Sequence, residues 1–246
     1  MRHLILLPGL ACDATLWRDQ LPVLAARAAA TESSTWTSTQ ARVRVTDVHT
    51  RHDTMAEMAT ALLAEHPGEL VLVGASMGGI VALEAALAAP KRVRGLALLG
   101  STARPDTPEV AQLRLDAIEF FEQGRADEVL HANAPFMFHP DLPEDHEIVA
   151  TYLDFVRRAG TAALVRQNRA IAARGDLRPR LTEIRCPTLV LCGEADAITP
   201  PDASQELAAG IAGARLHLVP GSGHLLTLEQ PARVNALLLD WLAGLD

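Results

Sequence analysis

Leu70-Val71-Leu72-Val73-Gly74-Ala75-Ser76-Met77-Gly78-Gly79 is the stretch whose reading decides the fold. Four apolar residues run into Gly74-Ala75-Ser76-Met77-Gly78, and the segment from Ile80 to Ala88 then reads as a helix. A buried strand, a sharp turn and a helix in that order give the pattern G-x-S-x-G its meaning. A strand that turns at once into a helix holds its apex residue in a strained backbone conformation and tolerates only small neighbours, hence Gly74, Gly78 and Gly79. Ser76 then stands above the sheet. The Met77 N–H lies at a helix N-terminus, where developing negative charge is favoured.

Outward from this stretch the chain alternates. Towards the N-terminus, Leu4 to Leu7 is a short apolar strand broken by Pro8-Gly9. Leu16 to Ala30 has a helical pattern, with Pro22 at a helix start or a kink. Thr31 to Gln40 is a Ser- and Thr-rich surface loop, and Val43 to Val48 alternates as a strand. Thr54-Met55-Ala56-Glu57 has capping-box spacing and opens a helix to about His66, stopped by Pro67-Gly68. Pro90 ends the helix after Ser76, and Val93 to Leu99 is another apolar strand. This alternation predicts a parallel sheet with helices on both faces.

The pattern changes at Ser101. No strand is evident from there to Arg180, while Val110 to Gln123, Glu147 to Arg158 and Thr161 to Ala173 show helical spacing. The sheet pattern resumes with strands at Pro187 to Cys192 and Ala214 to Val219, a helix over about Ala203 to Ala209, and a last helix from Pro231 to Leu242. The expected organisation is therefore an α/β core of residues 1–100 and 181–246, with a helical cap, 101–180, inserted in it. Ligands bind outside the carboxyl ends of strands in such sheets, so the insertion would roof that site.

Composition narrows the functional classes. The 246 residues fit one α/β domain with an insertion, and 49% apolar with 21% charged is ordinary for a globular protein. A net charge of −8, no basic run and few aromatics argue against a nucleic-acid partner. Cys12, Cys186 and Cys192 are odd in number and lack ligand spacing, which points to a reducing compartment. The N-terminal apolar run is too short for a spanning helix and is read as a strand, not a signal peptide. The protein is expected to be soluble and cytoplasmic, with no membrane partner.

A serine hydroxyl needs a base to take its proton and a group to orient that base. Asp196 follows the strand Thr188 to Cys192, and His224 follows the strand Leu216 to Val219, so the chain order is Ser76, Asp196, His224. Glu194 and Asp202 compete with Asp196, which could instead cap the helix after Pro200. Asp13 reads as a helix cap, and Cys12 as a small buried residue. His131, His139 and His146 do not have metal-ligand spacing. Arg104, Arg114, Arg157, Arg158, Arg166 and Arg169 could clamp a substrate carboxylate or form a solvated face. Glu229 is expected to support the start of the last helix.

Leu6-Leu7-Pro8-Gly9-Leu10, Gly74-Ala75-Ser76-Met77-Gly78-Gly79, Gly193-Glu194-Ala195-Asp196 and Gly223-His224 with Glu229 and Pro231 together resemble the α/β-hydrolase fold with a helical cap. Within that group the chain is most similar to small bacterial carboxylesterases and enol-lactone hydrolases. The resemblance implies Ser76 as nucleophile, His224 as base and then acid, and Asp196 as the orienting acid. It implies an oxyanion hole from the backbone N–H groups of Leu10 and Met77, with no metal and no cofactor. Many relatives have His where this chain has Pro8; the Leu10 donor does not need it. The implied reaction is hydrolysis of a small carboxylic ester, with an enol-lactone or a C–C bond as the alternative substrate for the same residues. A small-molecule binding protein of the same fold is a third reading. The chain is expected to act as a monomer or small homo-oligomer.

Overall fold

The computed structural model describes residues 2–30 and 43–245. Six strands, β1 (Arg2–Leu7), β2 (Val43–Val45), β3 (Glu69–Ala75), β4 (Val93–Leu99), β5 (Thr188–Gly193) and β6 (Arg215–Val219), form one sheet in the order β2-β1-β3-β4-β5-β6. Every pairing is parallel, with Leu6 opposite Val73 and Gly74 opposite Leu98 in the centre. The near-continuous apolar runs of β1, β3, β4 and β5 suit strands covered on both faces.

Strand side chains alternate between faces, and the sheet's two coats follow that alternation. Ile5, Leu7, Leu70, Leu72, Leu96, Leu98 and Val190 pack against α2 (Met55–Glu65), α3 (Met77–Ala88) and α7 (Pro201–Gly210). Leu4, Leu6, Val71, Val73, Leu99 and Leu191 face the other way, into the cluster that holds Leu24 of α1 (Leu21–Ala30) and Leu238 and Trp241 of α9 (Pro231–Ala243).

Between β4 and β5 stand α4 (Pro108–Glu122), α5 (Ala126–Met137) and α6 (Glu147–Ala172). Ile118, Phe121, Leu130, Phe155 and Leu164 of this block belong to the same apolar cluster as Leu4, Leu6, Val73 and Leu99. The block is therefore fused to the sheet by a shared core. The absence of a strand in this region holds among the described residues.

Several boundaries differ from the sequence reading. The two helices expected at 147–158 and 161–173 are present, and α6 denotes both; they meet at Gly160, whose φ of 77° and ψ of 163° are not helical. α5 escaped notice because Pro135 lies inside it. The expected helix from Leu16 begins at Leu21. The 3-10 turn Ala14–Trp17 precedes it, capped by Asp13, which accepts from the Thr15 N–H at 2.7 Å. The strand expected to reach Val48 stops at Val45, and Val48–Thr50 is a 3-10 turn. The Ser/Thr loop of 31–40 lies outside the described residues. Thr54 caps α2 as expected, accepting from the Glu57 N–H at 3.1 Å.

Among the described residues no helix is long and apolar enough to cross a membrane, and no cluster of His, Cys, Asp or Glu is arranged to hold a metal ion. All three cysteines are free thiols.

Candidate active site

The end of β3 and the start of α3 meet at Ser76, which takes φ 51° and ψ −119°. A non-glycine residue rarely adopts this conformation, and it persists only where its surroundings enforce it. Three contacts do so. The Ser76 N–H donates to the Leu99 carbonyl at 2.8 Å, and the Gly79 N–H and the Ser101 hydroxyl each donate to the Ser76 carbonyl at 2.9 Å. A Cβ on Gly78 would land on the Leu7 carbonyl, so the turn closes on β1 only because that residue is glycine. Ser76 itself stays partly exposed.

Asp196 follows β5 and His224 follows β6, and both are buried, 2% and 5% exposed. His224 Nε2 lies 2.9 Å from Ser76 Oγ. His224 Nδ1 lies 3.0 and 2.9 Å from the two Asp196 oxygens. The three residues named from the sequence are thus brought into one chain of contacts. An ionised carboxylate only accepts, which assigns the imidazole proton to Nδ1 and leaves Nε2 free to accept from the serine hydroxyl.

The Asp196 carboxylate is well supplied with donors. It accepts from the N–H groups of Ile198 and Thr199 and from the Thr199 hydroxyl, each at 2.9 Å. Burial alone would raise its pKa; His224 and the Thr199 donors outweigh that and hold the carboxyl below its ordinary value. Gly100, just after β4 with φ +50°, packs against this pair, and a Cβ there would come within 3.1 Å of Asp196 Oδ2 and 3.3 Å of His224 Nδ1.

The competing acids are engaged elsewhere. Glu194 accepts from the Gly221 N–H at 2.9 Å, and Asp202 pairs with Arg104 at 2.9 Å. Asp196 does not cap α7, whose N-cap is Pro200. Burial raises the Cys12 thiol far from ionisation and pushes Cys192 up to about 11, so neither supplies a thiolate at neutral pH.

The N–H groups of Leu10 and Met77, named as oxyanion donors, take no acceptor among the described residues. Met77 opens α3, where N–H groups have no partner in the helix. A Cβ on Gly9 would lie 3.3 Å from Ser76 Cβ, so the loop that carries Leu10 runs beside Ser76. That loop is fixed from outside. The Ala11 N–H, at φ 58°, donates to Gln167 Oε1 at 2.6 Å. Gln167 Nε2 donates to the His49 carbonyl at 3.1 Å, and His49 Nε2 donates to the Cys12 carbonyl at 2.8 Å. Burial keeps His49 below its ordinary pKa, in keeping with a neutral ring.

Glu229 does something other than start the last helix. It ends α8 (Leu226–Glu229), and its carboxylate accepts from the Gly223 N–H at 2.9 Å and the His139 N–H at 2.6 Å. The Met137 carbonyl accepts from the N–H groups of His224 and Leu225 at 3.0 and 3.2 Å. The segment after α5 is therefore tied to the histidine loop at both ends.

Sequence reasoning missed Thr199, Gln167 and His49. Thr199 carried a signal, a hydroxyl residue three positions after a strand-end aspartate. Gln167 and His49 carried none, because their partners are 156 and 37 residues away. The six arginines offered as a carboxylate clamp all have acidic partners. Arg104 pairs with Asp202 and Glu206, Arg114 with Asp106, and Arg157 with Asp127. Arg158 pairs with Asp13 and Asp154, Arg166 with Asp53, and Arg169 with Glu122. Of the three histidines in the block, His146 caps α6, His131 lies 3.3 Å from Arg157, and the His139 ring accepts from the Asp141 N–H.

Residues 4–237 match the model of the alpha/beta hydrolase family. A pimeloyl-[acyl-carrier protein] methyl ester esterase from Neisseria meningitidis serogroup C is 30% identical over 200 residues, 76% of this chain and 74% of that protein. Among solved structures, a thermophilic esterase from Thermogutta terrifontis, determined with malate bound, superposes with a TM-score of 0.82 at 27% identity, covering 100% of this chain and 90% of that one. The enol-lactonase from Burkholderia xenovorans LB400 superposes with a TM-score of 0.83 at 25% identity, covering 98% and 91%. A family match over nearly the whole chain, on a fold that carries Ser76 at the β3–α3 turn, places this protein in the α/β hydrolase family.

Proposed function

We propose that this hydrolase cleaves a small carboxylic ester by a Ser-His-Asp acyl-enzyme mechanism. The observation that carries the reading is the continuous contact from Ser76 Oγ through His224 to Asp196, 2.9 Å at each step. Ser76 Oγ attacks the ester carbonyl as His224 Nε2 takes its proton. Asp196 keeps the Nδ1 proton in place and stabilises the imidazolium. The N–H groups of Leu10 and Met77 receive the oxyanion, a role in which losing one donor typically costs about 100- to 1000-fold in kcat. His224 then protonates the leaving alcohol, and a water deprotonated by the same nitrogen releases the acid. The chain supplies every group this sequence needs.

Residues 101–180 act in this reading as a cap over the strand ends, shaping the acyl and alcohol pockets and limiting water. The three free thiols fit a cytoplasmic setting. The likeness to an enol-lactonase favours one second reading, a lactone opened by the same residues.

The test is hydrolysis of p-nitrophenyl esters from acetate to decanoate by the wild type and by Ser76→Ala. Turnover in the wild type should fall by at least about 10⁴-fold in the variant, and the chain-length optimum would size the pocket. A folded wild type inert on every member would overturn the ester reading and move the assay to enol-lactones.

A further inference from the structure

The helical block holds one buried polar group that no described residue bonds. Tyr152, the chain's single tyrosine, lies in the first half of α6 and is 6% exposed. Phe138 and Phe155 hold its ring edge-on, with centroids 5.8 and 5.6 Å away. Phe138 belongs to the segment tied to His224 through Met137 and Glu229. Tyr152 and Cys12 share one apolar cluster and lie close enough to interact electrostatically. Burial first, and Cys12 second, raise its hydroxyl, so the neutral phenol stays a donor at physiological pH. Cys12 lies on the Gly9–Cys12 turn that runs beside Ser76. The ring is thus linked to the segment that holds His224 through Phe138 and to the turn beside Ser76 through Cys12.

The Tyr152 hydroxyl bonds to no described residue. It is not among the fully sealed unpartnered groups such as Trp17 Nε1 and Trp241 Nε1. A buried hydroxyl without a partner is unfavourable, and a ligand that brings an acceptor relieves it. The surroundings choose the acceptor. An anionic group would need a cation beside it, and the ten arginines of residues 101–180 already hold acids. The chain's net charge of −8 also disfavours an anion.

We propose that Tyr152 is a specificity-determining residue whose hydroxyl donates to a second, neutral oxygen of the substrate, so that the site takes uncharged, largely apolar esters or lactones carrying one such oxygen. This rests on the serine hydrolase reading.

Two isosteric series test it, assayed with the wild type and Tyr152→Phe. One compares p-nitrophenyl hexanoate with analogues in which a single acyl methylene is replaced by an ether oxygen. The other compares butyl acetate with 2-methoxyethyl acetate by proton release. The wild type should favour at least one ether over its methylene partner in kcat/KM. Tyr152→Phe should lower that ratio about three- to tenfold, the effect of one neutral hydrogen bond, while leaving methylene esters and Tm unchanged. A merely structural tyrosine would not move the ratio. Equal ratios in both proteins, or a Tm lowered by several degrees in the variant, would overturn the assignment and leave the esterase reading intact. A wild type inert on both series, whose Ser76 also resists a fluorophosphonate, would overturn both.

Discussion

Asp196 is the residue at which burial and charge oppose each other most directly. Its carboxylate is sealed from solvent yet stays ionised, because two N–H groups, the Thr199 hydroxyl and His224 all face it. The folded chain therefore holds it below the unfolded aspartate value of about 3.9. Its contribution to stability is complete above that value and is lost as pH falls through the lower, folded one. Urea midpoints between about pH 2 and 6 should decline more steeply for the wild type than for Asp196→Asn in the acid part of that range; parallel curves would refute the linkage. Thr199→Val removes one of the donors and should lower kcat/KM at neutral pH about three- to tenfold, with Thr199→Ser close to wild type. Identical kinetics in all three proteins would show that the hydroxyl does nothing for the pair. Ser76, Asp196 and His224 could be read from the sequence because each follows a strand in the required order. Gln167 could not, since its role depends on where α6 docks.

At the scale of elements, the turn between β3 and α3 is legible because its glycines are forced by close backbone approach, and sequence records such constraints directly. α5 was missed, with Pro135 interrupting a pattern that tertiary packing nevertheless stabilises. The contact between the end of α5 and the histidine loop was equally hidden, being made by backbone groups and by Glu229. Burial raises the Glu229 carboxyl, while the two N–H donors, with His139 and His224, pull it back. Glu229→Ala leaves the Gly223 and His139 N–H groups without their charged acceptor. The expected loss is about 1.5–3 kcal/mol, or roughly 4–10 °C in Tm for a chain of this size. Calorimetry on the variant reads this; an unchanged Tm would mean that the Met137 contacts alone hold the segment.

For the molecule as a whole, alternation of strands and helices made the sheet and its two coats foreseeable, and the inserted block showed as a loss of strand pattern. What the sequence could not reveal is that the block shares an apolar cluster with β1, β3 and β4. Periodicity marks which face of a helix is apolar, but not which other face it meets. The shared core predicts one cooperative thermal transition, with calorimetric and van't Hoff enthalpies equal. Two resolved transitions, the first confined to residues 101–180 by hydrogen exchange, would contradict it.

The central claim is that Ser76 is a nucleophile activated by His224. Intact-mass analysis after exposure to a fluorophosphonate tests it most directly. The account predicts a single adduct on Ser76 in the wild type, none on Ser76→Ala, and labelling slowed by orders of magnitude in His224→Ala. A folded wild type that stays unmodified, or that is modified as fast without His224, would contradict it and leave a hydrolase fold serving as a binding protein.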